Sequence, residues 1–229
     1  MAFRALRYHA TFTFLKGFGL KRFGLTGLGL LAALTCAAGA AEMTDAQHFA
    51  EFLQSPPYRT LVTRYFNEQE PGPLRAKCST LAVMAWSDPI VVEPAHFKKS
   101  GALYEVTAGK WVQPVTVNAC GAKGIRRTLL WEDGGILHGS SLLPGEFPGN
   151  LQLENDAEHI VLPAVMGMAK CDNWKTLWVL DTKLKTPAKA QGWTEAWTMT
   201  ACGHAATADV VYVADATGMG ITAKNVKVH

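Results

Sequence analysis

Trp111-Val112-Gln113-Pro114-Val115-Thr116-Val117-Asn118-Ala119-Cys120-Gly121 aligns without gaps to Trp193-Thr194-Glu195-Ala196-Trp197-Thr198-Met199-Thr200-Ala201-Cys202-Gly203. The segments agree at their Trp, Thr, Ala, Cys and Gly positions, and Asp133 and Asp215 continue the same offset downstream. Shared Trp and Cys are improbable from composition alone, so the pairing reads as an internal duplication. Upstream, Cys78, Asp88 and Pro94 pair with Cys171, Asp181 and Pro187. An eleven-residue difference in spacing around 100–110 reconciles the two blocks.

Outward from these segments, each unit repeats one grammar: helical sequence, a cysteine, then runs of β-branched and aromatic residues separated by Gly, Pro, Asp and Asn. In the first unit the runs are 80–92, 103–119 with a break at Gly109, and 126–137. In the second they are 176–185, 192–201, and 208–224 bent near Gly218. Residues alternate along 193–202 with little charge on either face, which predicts a strand covered on one side and partly covered on the other. A second layer is therefore required, and the other unit is its expected donor through an apolar interface.

Helical signals precede each unit. Thr44 to Gln47 is a capping box ahead of Phe49, Phe52 and Leu53, whose spacing marks an apolar stripe. Ser55-Pro56-Pro57 ends that helix, a second runs over 58–69, and Pro71-Gly72-Pro73 stops it. Asn155 and Asp156 are expected caps for a helix carrying Ile160, Val161, Ala164, Val165 and Met168, kinked or restarted at Pro163. The turn-rich stretch 139–150 is the natural linker.

The expected fold class is thus α+β: two related units, each a helix followed by a three- or four-stranded antiparallel meander, disulfide-stapled. The expected boundaries are a signal peptide at 1–41, helices and the first unit at 42–140, a linker at 141–154 and the second unit at 155–229. One continuous sheet formed from both units is the architectural alternative. The leader reading rests on a basic start (Arg4, Arg7, Lys16, Lys21, Arg22), the apolar run 23–35 and small residues at 38–41, with Cys36 inside the leader. Removing those five basic residues from the 22 Lys and Arg leaves 17 against 19 Asp and Glu, a net charge of −2. Periplasmic or extracellular localisation follows, with no membrane anchor after cleavage and no basic patch for nucleic acid.

Outside the reducing cytoplasm, Cys78, Cys120, Cys171 and Cys202 are expected to form two disulfides. Their repeat positions favour Cys78 with Cys120 and Cys171 with Cys202. No Cys-x-x-Cys or paired-His spacing suggests a metal or cofactor. His138-Gly139-Ser140-Ser141 reads as a polar turn rather than part of a catalytic triad. The carboxylates Asp88, Asp133, Asp181 and Asp215 read as turn residues. Among seven tryptophans, the recurrence of Trp111 and Trp193 assigns them to the core. Trp131 and Trp197, unmatched in the other unit, are the candidate ligand-binding residues. The expected function is non-enzymatic binding or interaction with an unknown protein or glycan of the cell envelope. The alternative is an envelope-polymer hydrolase with dispersed catalytic residues.

Overall fold

The computed structural model describes residues 43–229 apart from 70, 71, 77, 79, 80, 102 and 217, so the leader reading of 1–41, Cys36 included, lies outside the described residues. The chain begins with α1 (Asp45–Gln54), α2 (Pro56–Gln69) and a short α3 (Gly72–Arg75). Thr44 caps α1 in the expected capping box. Five antiparallel strands follow: β1 (Ala82–Trp86), β2 (Ile90–Ser100), β3 (Leu103–Ala119), β4 (Ala122–Asp133) and β5 (Ile136–Ser141). After α4 (Leu151–Ala169) and a 3-10 turn at Trp174–Thr176 come β6 (Trp178–Leu184), β7 (Gly192–Ala201), β8 (His204–Asp215) and β9 (Gly218–Val228). The fold is α+β, helices packed on antiparallel sheets.

In the first sheet the long strand β3 is the spine. β4 and then β5 lie along one edge, while β1 and β2 share the other, β1 against Val115–Asn118 and β2 against Leu103–Val112. The single run expected over 80–92 is therefore two strands. Pro89 has no N–H for a ladder, and Ser87 instead bonds to Pro114 through its N–H and accepts from Gln113 through its carbonyl. The break expected at Gly109 is absent. Gly109 sits at φ +134°, where a Cβ would meet the Ala95 backbone, so it admits close approach of β2 without interrupting β3. The second sheet runs β6-β7-β8-β9 in chain order, and Gly218 closes a hairpin opposite Asp215 rather than bending one strand.

Both central hairpins turn on Cys-Gly. Cys120 and Gly121 lie at φ 50° and 94°, Cys202 and Gly203 at 49° and 84°. Positive φ at both turn residues is the requirement of the tight turn whose twist matches flanking strands. These half-strained cysteines are covalently held, Cys120 to Cys78 across 42 residues and Cys202 to Cys171 across 31. Each bond thus ties a hairpin tip to the segment that enters its sheet.

Two separate apolar cores result. One gathers Tyr58, Val62, Tyr65 and Phe66 of α2 against Trp111, Val115, Val117 and Leu130. The other gathers Ala157, Val161, Val165 and Met166 of α4 against Trp193, Trp197, Met199, Val210 and Tyr212. The covering layer over β7 is therefore α4, not the first sheet, and α4 is longer than its sequence signals indicate. Asn150, not Asn155 or Asp156, caps it by accepting from the Leu153 N–H at 2.9 Å. The helix passes through Pro163 without restarting and ends at Lys170 in the left-handed region. Its first turn occupies residues expected to be linker.

Loop closures of this length predict that each disulfide restrains the unfolded chain by on the order of 3 to 4 kcal/mol. Non-reducing peptide mapping should recover only Cys78–Cys120 and Cys171–Cys202 peptides. Removal of either bond by paired Cys→Ala substitution should lower the urea-unfolding free energy by several kcal/mol.

Candidate functional site

The tryptophans sort by the face of the sheet they occupy. Trp111 is wholly buried, and its indole N–H donates to the Tyr58 hydroxyl at 3.1 Å, which in turn donates to Gln113 Oε1 at 2.9 Å. Trp193 and Trp197 lie on the inward face of β7. Their N–H groups donate to the two oxygens of Glu195, each at 2.8 Å, and the Tyr212 hydroxyl approaches Oε2 at 3.3 Å. Trp197 is fully buried, so its place is in the core and it offers a ligand no surface. The absence of a repeat counterpart marked a unit-specific core contact there.

Gln113 and Glu195 were not singled out from sequence, although each stands two residues after the recurring Trp. Period-two alternation puts that position on the same inward face, where a buried indole N–H needs an acceptor. Burial pushes the Glu195 carboxyl upward against the three donors that favour its charge. Burial also raises the Tyr212 phenol, and the Glu195 charge raises it further.

Trp131 has a different setting. It projects from β4 onto the outer face of the first sheet, half-buried, with the His138 ring of β5 stacked on it at 5.4 Å and 18°. The pairing is direct cross-strand register. His138 to Ser141 is therefore strand, and the expected polar turn is absent there. Glu93, Lys110, Leu129 and Glu132 complete an open depression of about 370 Å³ around Trp131. It combines an aromatic face, carboxylates and an ammonium within one shallow surface.

A second depression, about 300 Å³, lies where the two cores meet. Phe66, Leu162, Leu177, Trp178 and Val179 form apolar walls, with Arg126, Arg127 and Glu158 as its charged members. Arg127 is committed to Glu154. Glu158 makes no hydrogen bond to any described residue, and burial together with the Glu154 charge pushes it up to about 7, opposed by His159.

The four recurring carboxylates serve local structure where their contacts are seen. Asp215 accepts from the Gly218 N–H in a hairpin, and Asp181 pairs with Lys183. Among the described residues no cluster of three His, Cys, Asp or Glu could hold a metal ion. No described helix is long and apolar enough to cross a membrane. No protein-family model matches the chain, and neither a curated protein nor a solved structure does.

Two outcomes follow. Trp197→Ala should cost about 3 to 5 kcal/mol by opening the core, whereas Trp131→Ala should stay within about 1 kcal/mol; urea titrations of both variants check this. For pH, Glu195 and Glu158 are both raised above the ordinary 4.5. Above that value the native state binds more protons than the unfolded chain, so stability falls as pH rises from about 5 to 8. Glu158→Gln should flatten that slope in urea titrations across the range.

Proposed function

We propose that this is an exported, non-enzymatic binding protein built from two copies of one stapled helix-and-meander unit, and that it engages an envelope glycan or protein through the outer face of the first sheet. The observation that carries the reading is Trp131. It is the tryptophan whose ring is held flat against a partner, His138, while still lining an open depression. An aromatic plane flanked by Glu93, Lys110 and Glu132 offers stacking area together with hydrogen-bonding groups at its rim. A sugar ring presents the matching chemistry, an apolar face edged by hydroxyls.

The duplication is supported by the two Cys-Gly hairpins, each followed twelve residues on by a second two-residue turn opening on Asp133 or Asp215. The matched pairs Trp111 with Gln113 and Trp193 with Glu195 support it further. Export is supported by the two disulfides, which persist in oxidising compartments. Periplasmic or extracellular placement follows from that reading and from the leader.

The competing reading, an envelope-polymer hydrolase, would draw on Glu158 as a raised acid. Glycan hydrolysis commonly needs a second carboxyl across the scissile bond. The other charged residues lining that cleft are Arg126 and Arg127, which favours binding over catalysis.

Sedimentation of the oxidised protein with isolated envelope polymers, alongside a soluble glycan panel, tests the assignment. Trp131→Ala should weaken retention at least about tenfold, the loss expected for a central aromatic anchor, while leaving the melting curve unchanged. Retention unaltered by Trp131→Ala, or release of soluble fragments that Glu158→Gln abolishes, would overturn it.

A further inference from the structure

The depression beside Trp131 lies on a row of four residues in direct cross-strand register. Glu93 of β2 pairs with Lys110 of β3, Lys110 with Trp131 of β4, and Trp131 with His138 of β5. Residues paired in this way project from the same face of an antiparallel sheet, so carboxylate, ammonium, indole and imidazole stand side by side across it. His138 is stacked on the indole from the β5 side. The depression opens on the other side, toward β3 and β2, where Glu93, Ala108, Gly109 and Lys110 line it.

Two features shape this slot. Ala108 and Gly109 bring little or no side chain to it. The register of β2 shifts on both sides of Glu93, an irregularity of the kind that re-aims a side chain. Although Glu93 and Lys110 are register partners, neither side chain has a hydrogen-bond or ion-pair partner among the described residues. Glu93 is exposed and Lys110 half-buried. The other charged member of the lining, Glu132, is committed to the Gly135 N–H of the adjoining turn. The slot therefore holds one negative and one positive group, each uncommitted, beside the open face of an indole. A ligand with a single charge answers one of these groups and leaves the other unpaired; a ligand with both charges answers each.

We propose that the Trp131 site recognises an amphoteric sugar unit, one bearing both an ammonium and a carboxylate, with its ring against the indole, its ammonium on Glu93 and its carboxylate on Lys110. That ligand class rests on the Trp131 face being a glycan site, and narrows the glycan by charge. The volume, about 370 Å³, falls within the range of small-molecule sites. Each ion pair at so open a surface contributes a factor of about three, so the two together amount to about tenfold.

Four sugars of one ring skeleton separate the charges: N-acetylglucosamine carries none, glucosamine an ammonium, N-acetylmuramic acid a carboxylate, and muramic acid both. Each is titrated at low salt and near-neutral pH into the full oxidised protein, isotope-labelled so that NMR follows the backbone amides of Lys110 and Trp131. Muramic acid should bind about tenfold more tightly than N-acetylglucosamine, with the two singly charged sugars between them. Glu93→Gln should remove the advantage of the ammonium and Lys110→Met that of the carboxylate, both with unchanged melting curves. Muramic acid no tighter than the better singly charged sugar, or an advantage that survives both substitutions, would overturn the proposal. Equal binding of all four sugars, lost in Trp131→Ala, would overturn the charge assignment and leave the glycan site standing; no binding by any of them would overturn both.

Discussion

The arrangement of the molecule depends on one buried ion pair. Arg127, on β4 of the first sheet, meets Glu154, in the first turn of α4, through two parallel hydrogen bonds at 3.2 and 2.8 Å, with both side chains almost fully buried. Glu154 Oε1 also accepts from the Leu143 N–H at 2.7 Å, and the Arg127 guanidinium lies over the Phe147 ring. The connecting segment is thereby pinned on both sides: the Leu142 and Gly145 N–H groups donate to carbonyls of β4, and the Pro144 carbonyl accepts from Thr182 of β6. Gly145 is required at that point, since its φ is +92° and a Cβ would fall on the Thr182 carbonyl. Two apolar cores that do not merge are joined by a polar clamp. Such a clamp stabilises weakly as a pair, yet becomes costly when one charge is left alone, so it fixes geometry more than it adds stability.

This division explains what could be read from residues and what could not. The Trp-to-Gly segments placed β3 and β7, because period-two alternation is local, and the matching positions of the four cysteines paired both disulfides; the Cys-Gly hairpin turns emerge only in the structure. The capping box at Thr44 was legible for the same reason. The clamp was not, since Arg127 and Glu154 are brought together by a connection whose path no periodicity encodes. The same holds for α4. Asn150 follows Phe147-Pro148-Gly149, a turn signal that masked it as a cap, and the helix was consequently expected to start too late. The first unit was expected to cover β7 because both faces of 193–202 carry little charge; α4 covers it instead.

The candidate sites divide along similar lines. Trp131 was legible as an outlier against its repeat partner, and the structure places it on an open outer face. Trp197 met the same criterion and lies in the core, because a missing counterpart reports a difference between units without saying which side of the sheet carries it. Glu195 gathers two indoles and a phenol in the second core, where Gln113 and Tyr58 serve the indole of the first. The recurring tryptophan thus fixes an acceptor beneath each sheet, and Trp131 lies on the opposite, outer face of the first.

A double-mutant cycle at the clamp tests the central claim most directly. Arg127→Leu and Glu154→Leu are each expected to lose about 3 to 5 kcal/mol of urea-unfolding free energy, because each strands the other charge. The double variant is expected to lose clearly less than the sum of the two, since no buried charge is then left unpaired and only the Leu143 N–H lacks its acceptor. Single losses within about 1 kcal/mol, or a double loss equal to the sum of the singles, would contradict the account of two cores held by a buried ion pair.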